Sequence, residues 1–406
     1  MNFILLSRLW VMVFLHYFVW GAWYVTMGTY TTAKLGFLGG QVGLAYGSTA
    51  VGAMVSPFIV GIIADRFFAT QRLLACLHLI GAGLLYWIST LKEFAQFYPV
   101  LVSYTITYMA GHGLTNTLTL HHSKNPSKEF PLVMIMASVG WIASGIAVSW
   151  LKLEDGAGMF RLASGAALVM GVYSLTLPHT PPKGTGAPIS LGTLLGFDAL
   201  KLLRNRAFAT FMLCSFLICV PLSFYFSWMN VFMNEMQIQN AAAKMTLGQV
   251  SDVLFLLLLP VFLRRVGSKG ILLLGIGAWA FRFALFAVFH QNPSAIWMLF
   301  TGILLHGVCY DFIFVMGRML VDKYAGEEIR GAAQGLHAIV TLGAGMFVGS
   351  WLSGVVAQHY SQAVGHSWQA IWLIPAVIGA VLAVVFAIFY SEDKHEARTL
   401  SQPVSK

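Results

Sequence analysis

The sequence predicts an all-α integral membrane protein whose twelve transmembrane helices form two pseudo-symmetric six-helix halves. Composition, the spacing of apolar runs and the placement of lysine and arginine carry that reading. Of 406 residues, 58% are hydrophobic and only 10% are charged, too few charges to cover a soluble protein of this length. A net charge of +9 would point to nucleic acid in a soluble domain. Here the basic residues sit in short loops between apolar runs, so the charge reports topology and no nucleic-acid partner is expected.

A spanning helix takes roughly 20 apolar residues. Such runs fall at about 5–31, 40–65, 71–91, 96–121, 130–151, 158–177, 207–234, 245–264, 269–289, 294–321, 330–357 and 367–390. The first is too long for a cleaved signal peptide and has no clear small-residue cleavage site. A longer connection separates the sixth and seventh runs. It opens with the helix-breaking PHTPPKGTGAP and continues as LGTLLGFDALKLLRNR, which reads as a short amphipathic helix on the membrane surface. The expected divisions are an N-terminal half at 1–177, a cytoplasmic linker at 178–206, a C-terminal half at 207–390 and a cytoplasmic tail at 391–406. With the N-terminus inside, seventeen lysines and arginines face the cytoplasm and five face outward (Lys34, Lys92, Lys152, Arg161 and Lys244). Both termini are therefore expected in the cytoplasm. GIIADRFFATQRLL (61–74) and PVFLRRVGSKGILL (260–273) occupy matching loops, as do SKNPSKEFP (123–131) and DKYAGEEIR (322–330). Two related six-helix repeats are a transporter architecture.

Four charged residues lie well inside the spans: Asp252, Arg282, Asp311 and Arg318. Each costs a few kcal/mol at the bilayer centre, so each should face a cavity or a partner. Arg318 precedes Asp322 by one helical turn, which suits a helix-end ion pair or snorkelling to the surface. Arg282 has no such escape and is expected to pair with Asp311. That pair is either a static stitch between helices or one that breaks when the carboxylate takes up a proton. A nearby arginine favours the charged carboxylate and burial favours the neutral acid, so a moving helix can switch which prevails. Asp252 shares a helical face with Gln249. Together they suit the hydroxyls of ribose or another polyol, or they simply bond neighbouring helices.

Aromatic side chains could supply flat apolar faces for a base. His16, Trp20 and Tyr24 repeat every four residues, Phe224, Tyr225 and Trp228 crowd the seventh span, and Tyr310 adjoins Asp311. For any single aromatic, packing or lipid contact is the ordinary role. His112, Asn116 and Thr119 form a polar stripe that faces either a cavity or another helix. Gly43/Gly47 and Gly345/Gly349 have the spacing of close helix packing. The cysteines (Cys76, Cys214, Cys219 and Cys309) show no paired motif, so neither a disulfide nor a metal cluster is expected. No nucleotide-binding loop or catalytic nucleophile is evident, so no cofactor and no enzymatic activity are expected.

GIIADRFFATQRLL resembles the loop motif of the major facilitator superfamily: Gly61, Asp65 and Arg66 match, and Arg72 adds a later positive charge. FVWGAWYVTMGTY (18–30), SPFIVGIIADRFF (56–68), YMAGHGLTNTL (108–118), LLGFDALKLLRN (194–205), GQVSDVLFLLLLPVFLRRVG (248–267), AWAFRFALFA (278–287), HGVCYDF (306–312) and RGAAQG (330–335) resemble the bacterial nucleoside:proton symporter family. The resemblance covers nearly the whole chain. It implies a major facilitator fold that imports nucleosides with protons across the bacterial inner membrane by alternating access. The substrate would bind near the midplane between the halves.

The resemblance also implies site residues. The family's positions fall on Gln249, Asp252, Tyr310 and Asp311, with His306 facing the cavity one turn earlier. From the chemistry of the buried charges, Asp311 or Asp252 would carry the proton, with Arg282 as the cationic partner. The family's arginine on the fifth span falls on Met134, with Ser138 where a threonine is expected. A glutamine and an asparagine on the seventh fall on Ser223 and Phe226. Ser138, Ser223 and Phe226 are thus candidate substrate residues by position, and Trp20 joins them on its aromatic chemistry alone. These departures keep a sugar, nucleobase or modified nucleoside open as the cargo. A membrane sensor that transports nothing is the alternative of a different class. The expected partners are a small polar substrate, protons and the bilayer, with the chain working as a monomer.

Overall fold

The computed structural model describes residues 1–59, 68–182 and 196–391. Among them every regular element is helical, apart from one isolated bridge between Ser361 and His366. In the first part of the chain these are α1 (Phe3–Tyr24), α2 (Met27–Ala33), α3 (Gly39–Ile59), α4 (Thr70–Ile88), α5 (Phe94–His122), α6 (Pro126–Trp150) and α7 (Gly158–Ser174). Asn2 starts α1 by accepting the Leu5 N–H at 2.9 Å, which satisfies one of the free donors of the first turn. The 29 residues of α5 rise about 44 Å, enough to cross the hydrocarbon core. Its threonines do not interrupt it, because Thr107, Thr115, Thr117 and Thr119 each donate back to a carbonyl one turn earlier.

The loop motif at Gly61, Asp65 and Arg66 lies outside the described residues, as do residues 183–195 of the linker and 392–406 of the tail. Where the linker re-enters, Phe197–Arg204 forms a short 3-10 helix with Phe197, Leu200 and Leu203 exposed and Ala199 buried. That is an amphipathic face suited to a membrane surface. Gly196 precedes it at φ 73°, and a side chain there would strike the Ala332 carbonyl, so only glycine fits.

The remaining helices are α8 (Arg206–Glu235), α9 (Ala241–Met245), α10 (Leu247–Gln291), α11 (Ile296–Leu304), α12 (His306–Tyr310), α13 (Met316–Ala338), α14 (Met346–His359) and α15 (Trp368–Phe389). Seven described stretches are long and apolar enough to cross a membrane. Two of these, Ala241–Gln291 and Ile296–His359, run to 51 and 64 residues, roughly two to three times what one crossing needs. Each bends at a glycine in the left-handed region, Gly267 (φ 68°) in α10 and Gly326 (φ 65°) in α13. Helices thus lie on all twelve expected runs. Asp311–Val315 and Ile339–Gly345 are π-helical turns.

The described helices group into two compact units. The first comprises Met1–Ile189, Phe224–Thr246 and Ser350–His359, and the second Ser190–Ser223, Leu247–Gly349 and Tyr360–Lys406. One apolar core of the first unit is built from Leu9, Met12 and Val13 of α1, Leu74 of α4, Leu114 and Leu118 of α5, Val133 of α6 and Met170 of α7. Small residues let backbones approach elsewhere in that unit: a side chain on Gly43 of α3 would strike the Ser350 carbonyl of α14.

A polar hub also belongs to the first unit. The Glu154 carboxylate accepts from the Ser149 hydroxyl (2.5 Å), the Ala242 N–H (3.1 Å), Asn230 Nδ2 (3.3 Å) and Asn234 Nδ2 (3.4 Å). Thr29 of α2 donates to Asn230 Oδ1 at 2.6 Å.

Candidate membrane-embedded polar site

In the second unit, α10 places Gln249 and Asp252 on one face and returns past its bend to present Arg282. Arg282 is fully buried, with Trp279, Phe283 and Phe286 rings 5.1–6.0 Å from its guanidinium carbon. These faces favour a cation that has lost its water. Arg282 Nη1 lies 3.1 Å from His306 Nδ1. Arginine can only donate, so His306 Nδ1 accepts, and a neutral ring then carries its hydrogen on Nε2. That nitrogen faces Asp252 Oδ2 at 4.0 Å. The order Arg282–His306–Asp252 thus follows from donor chemistry.

The expected pairing of Arg282 with Asp311 is corrected by this geometry. The helix carrying Asp311 is broken, and the break turns His306 toward Arg282. Ser251 makes the break: its hydroxyl accepts the Gly307 N–H at 2.9 Å and donates to the Leu304 carbonyl at 2.5 Å. Asp311 then opens the π turn. It is 4% exposed, and its Oδ2 is buried with no hydrogen-bond partner among the described residues. Asp322, the expected mate of Arg318, instead meets Arg330 (3.9 Å) and Gln334 (2.7 Å).

The Asp252 side chain keeps 21% exposure, yet its Oδ1 is also buried without a partner. Gln249 is half-buried. Tyr310 stacks on His306 at 5.9 Å and 19°. The structure therefore brings Asp252, Arg282, His306 and Tyr310 together, with Asp311 next along the same broken helix.

The other candidates lie elsewhere. Ser223 is fully buried, donates to the Cys219 carbonyl at 2.8 Å and has Gly349 packed against it. In the first unit, Trp20 and Phe226 belong to an aromatic cluster with Tyr24 and Trp141. Centroids are 5.4 Å for Trp20–Trp141, 5.6 Å for Trp20–Tyr24 and Tyr24–Phe226, and 6.4 Å for Trp141–Phe226. Ser138 is partly buried on α6, one turn beyond Met134, whose side chain packs against the apolar core.

A family profile described as Nucleoside H+ symporter matches residues 3–395. The chain belongs to the nucleoside:proton symporter family. It is 39% identical over 404 residues to the putative nucleoside transporter YegT of Escherichia coli K12, covering 96% of this chain and 95% of that protein. It is 32% identical to the xanthosine permease of the same organism, covering 97% and 99%. The crystal structure of nucleoside transporter NupG superposes with a TM-score of 0.88 at 30% identity, over 97% of this symporter and 100% of that chain. Sequence reasoning missed three features of the symporter: the Ser251-capped break, the Glu154 hub, and His78, which meets His16 inside the first unit. A histidine in an apolar helix was the only signal of the last.

Proposed function

We propose that the chain imports nucleosides with protons across the bacterial inner membrane by alternating access. In this reading it works as a monomer with both termini in the cytoplasm, and 1–177 and 207–390 act as its two six-helix halves. The observation that carries the site is the pair of carboxylates, Asp252 and Asp311, each holding a buried oxygen without a hydrogen bond. An orphaned acceptor in low dielectric is costly, and two independent additions relieve it: a proton, or a donor on the substrate. Asp311 sits on a π turn, a helical irregularity that frequently marks functional sites, and is proposed as the proton carrier. Asp252 and Gln249 are proposed to meet the ribose hydroxyls, with His306 and Tyr310 beside them. Trp20, Ser138, Ser223 and Phe226 are retained as further substrate residues. Arg282 holds the charge balance through His306. The matching family and its nucleoside-transporting relatives support nucleosides as the cargo.

The test uses the purified full chain in proteoliposomes, with radiolabelled uridine and an imposed pH gradient. Nucleosides are expected to compete and free sugars to fail. Asp311→Asn should lose gradient-driven accumulation, falling to the level of empty liposomes, while counterflow persists because it needs no net proton movement. Accumulation by Asp311→Asn equal to wild type removes its coupling role. Competition by bases or sugars alone would move the cargo to the second reading. Met134, packed against an apolar core where the family resemblance implies an arginine, favours that reading. No exchange of any solute would leave a sensor.

A further inference from the structure

The first unit encloses a cluster that the site above does not use. His16 of α1, His78 of α4 and Tyr108 of α5 are all buried, and His112 stands one turn further along α5. His16 Nδ1 lies 3.1 Å from His78 Nε2. The His16 ring stacks flat on Tyr108, with centroids 4.5 Å apart and planes 7° apart. His112 lies 5.6 Å from His16 by ring centroid, and Tyr17 and Trp20 present edges to His112 at 5.6 and 6.3 Å. The Tyr108 hydroxyl donates to the His16 carbonyl at 2.9 Å, fixing the stack.

With both rings neutral, one nitrogen of the 3.1 Å contact carries the hydrogen. If His16 donates, its Nε2 is a bare lone pair. If His78 donates, His16 Nε2 carries a hydrogen that no acceptor receives. His16 Nε2 is buried and has no hydrogen-bond partner among the described residues. Asn116 Oδ1, one helical turn from His112, is likewise buried and unmet. Both tautomers leave the cluster short, and buried polar atoms without partners call for an explanation.

We propose that His16 and His78 form a second proton-binding site, sited in the first unit and separate from the two aspartates. A proton adds to the lone pair of His16 Nε2, giving an imidazolium whose Nδ1–H donates to His78. No other bond forms or breaks, and the charge lies over the face of Tyr108, where the ring quadrupole attracts it. The rings share one proton, since a second imidazolium would face the first across 3.1 Å.

The groups facing the pair are Tyr17 on α1 and Tyr108 and His112 on α5. The helices packed around it carry formal charge only toward their ends: Arg8 on α1, Arg72 on α4, Lys128 and Glu129 on α6, and Arg161 on α7. Among the described residues no carboxylate faces the pair, so the only stabilisation of its charge comes from the Tyr108 face and the His78 acceptor. Such a site would give nucleoside uptake a second dependence on acid, beyond the one set by Asp311.

The experiment follows the rings directly, so its outcome stands apart from the transport reading. The full chain, labelled with 15N-histidine and held in nanodiscs, is titrated by NMR from about pH 8 to about pH 4, a window that reaches below the range of an ordinary imidazole. Wild type is expected to show one imidazolium forming in the trio, and His78→Asn is expected to abolish it. Uridine counterflow at neutral pH should persist in His78→Asn, which reports a folded chain. Tyr108→Leu, which removes the ring face but keeps both imidazoles, should shift the titration to lower pH. All three rings staying neutral throughout, or an imidazolium that survives in His78→Asn, overturns the proposal.

Discussion

Arg282 is costly to keep where it is, since an arginine at mid-membrane depth disfavours insertion by about 3 kcal/mol. What offsets that cost is local: the aromatic faces of Trp279, Phe283 and Phe286, and the acceptor at His306 Nδ1. Arg282→Met should leave His306 Nδ1 buried without a donor, a loss of about 1–3 kcal/mol in stability. Arg282→Lys keeps the charge but loses the planar fork, and should recover part of it. Thermal unfolding in detergent reads both, and an unchanged midpoint in Arg282→Met would remove the contact from the account. The charged residues were legible in the sequence because one charge among twenty apolar neighbours stands out. Their partners were not. Whether Arg282 meets Asp311 or His306 depends on the relative rotation of two helices, and no spacing within either helix encodes that. His78 shows the same limit, because its partner His16 lies on another helix.

Helices are the scale at which the sequence spoke most clearly. Apolar length against bilayer thickness placed a helix on each expected run, and the glycines at the sharp bends, Gly267 and Gly326, fall in the polar loops expected between spans. The break at Leu305 was invisible, since HGVCYDF contains no proline and its cause lies on α10, in the Ser251 hydroxyl. The close approach this requires is made at Gly307, where an added side chain would press on the Ser251 carbonyl and hydroxyl. Overpacking of that kind costs about 1–3 kcal/mol. Gly307→Ala should therefore lower the melting midpoint and reduce uptake, because the displaced backbone carries His306 away from Asp252. Gly113→Ala is the control, with no atom close to the added carbon. Equal behaviour of the two variants would show that the break tolerates movement and does not position the site.

Across the whole molecule, the compact units do not follow chain order: Phe224–Thr246 and Ser350–His359 belong with the first. Within that unit Glu154 is the common acceptor, receiving donors from the end of α6, from two asparagines of α8 and from the N–H of Ala242 in α9. Sequence reading passed over it, because an acid in a short loop is ordinarily a solvated charge. Its weight comes from segments some 80 residues later in the chain. In the proposed orientation the hub lies on the outer side of the membrane. Alternating access requires whatever gathers there to part in each cycle, so the hub is set to favour the gathered state. Charge-assisted hydrogen bonds are about twice as strong as neutral ones, and Glu154→Ala removes all four acceptor contacts together. The expected result is a shift toward the outward-open state. A cysteine at Thr29→Cys, on a background with Cys76→Ser, reports the shift through its labelling rate with a membrane-impermeant maleimide added outside. Labelling should rise several-fold in Glu154→Ala while net uptake falls. Glu154→Gln should fall between wild type and Glu154→Ala, because an amide keeps one acceptor oxygen but sets a donor against the asparagine amides. A labelling rate that stays at the wild-type value in Glu154→Ala would mean that apolar packing alone, such as Gly43 against α14, holds that side together.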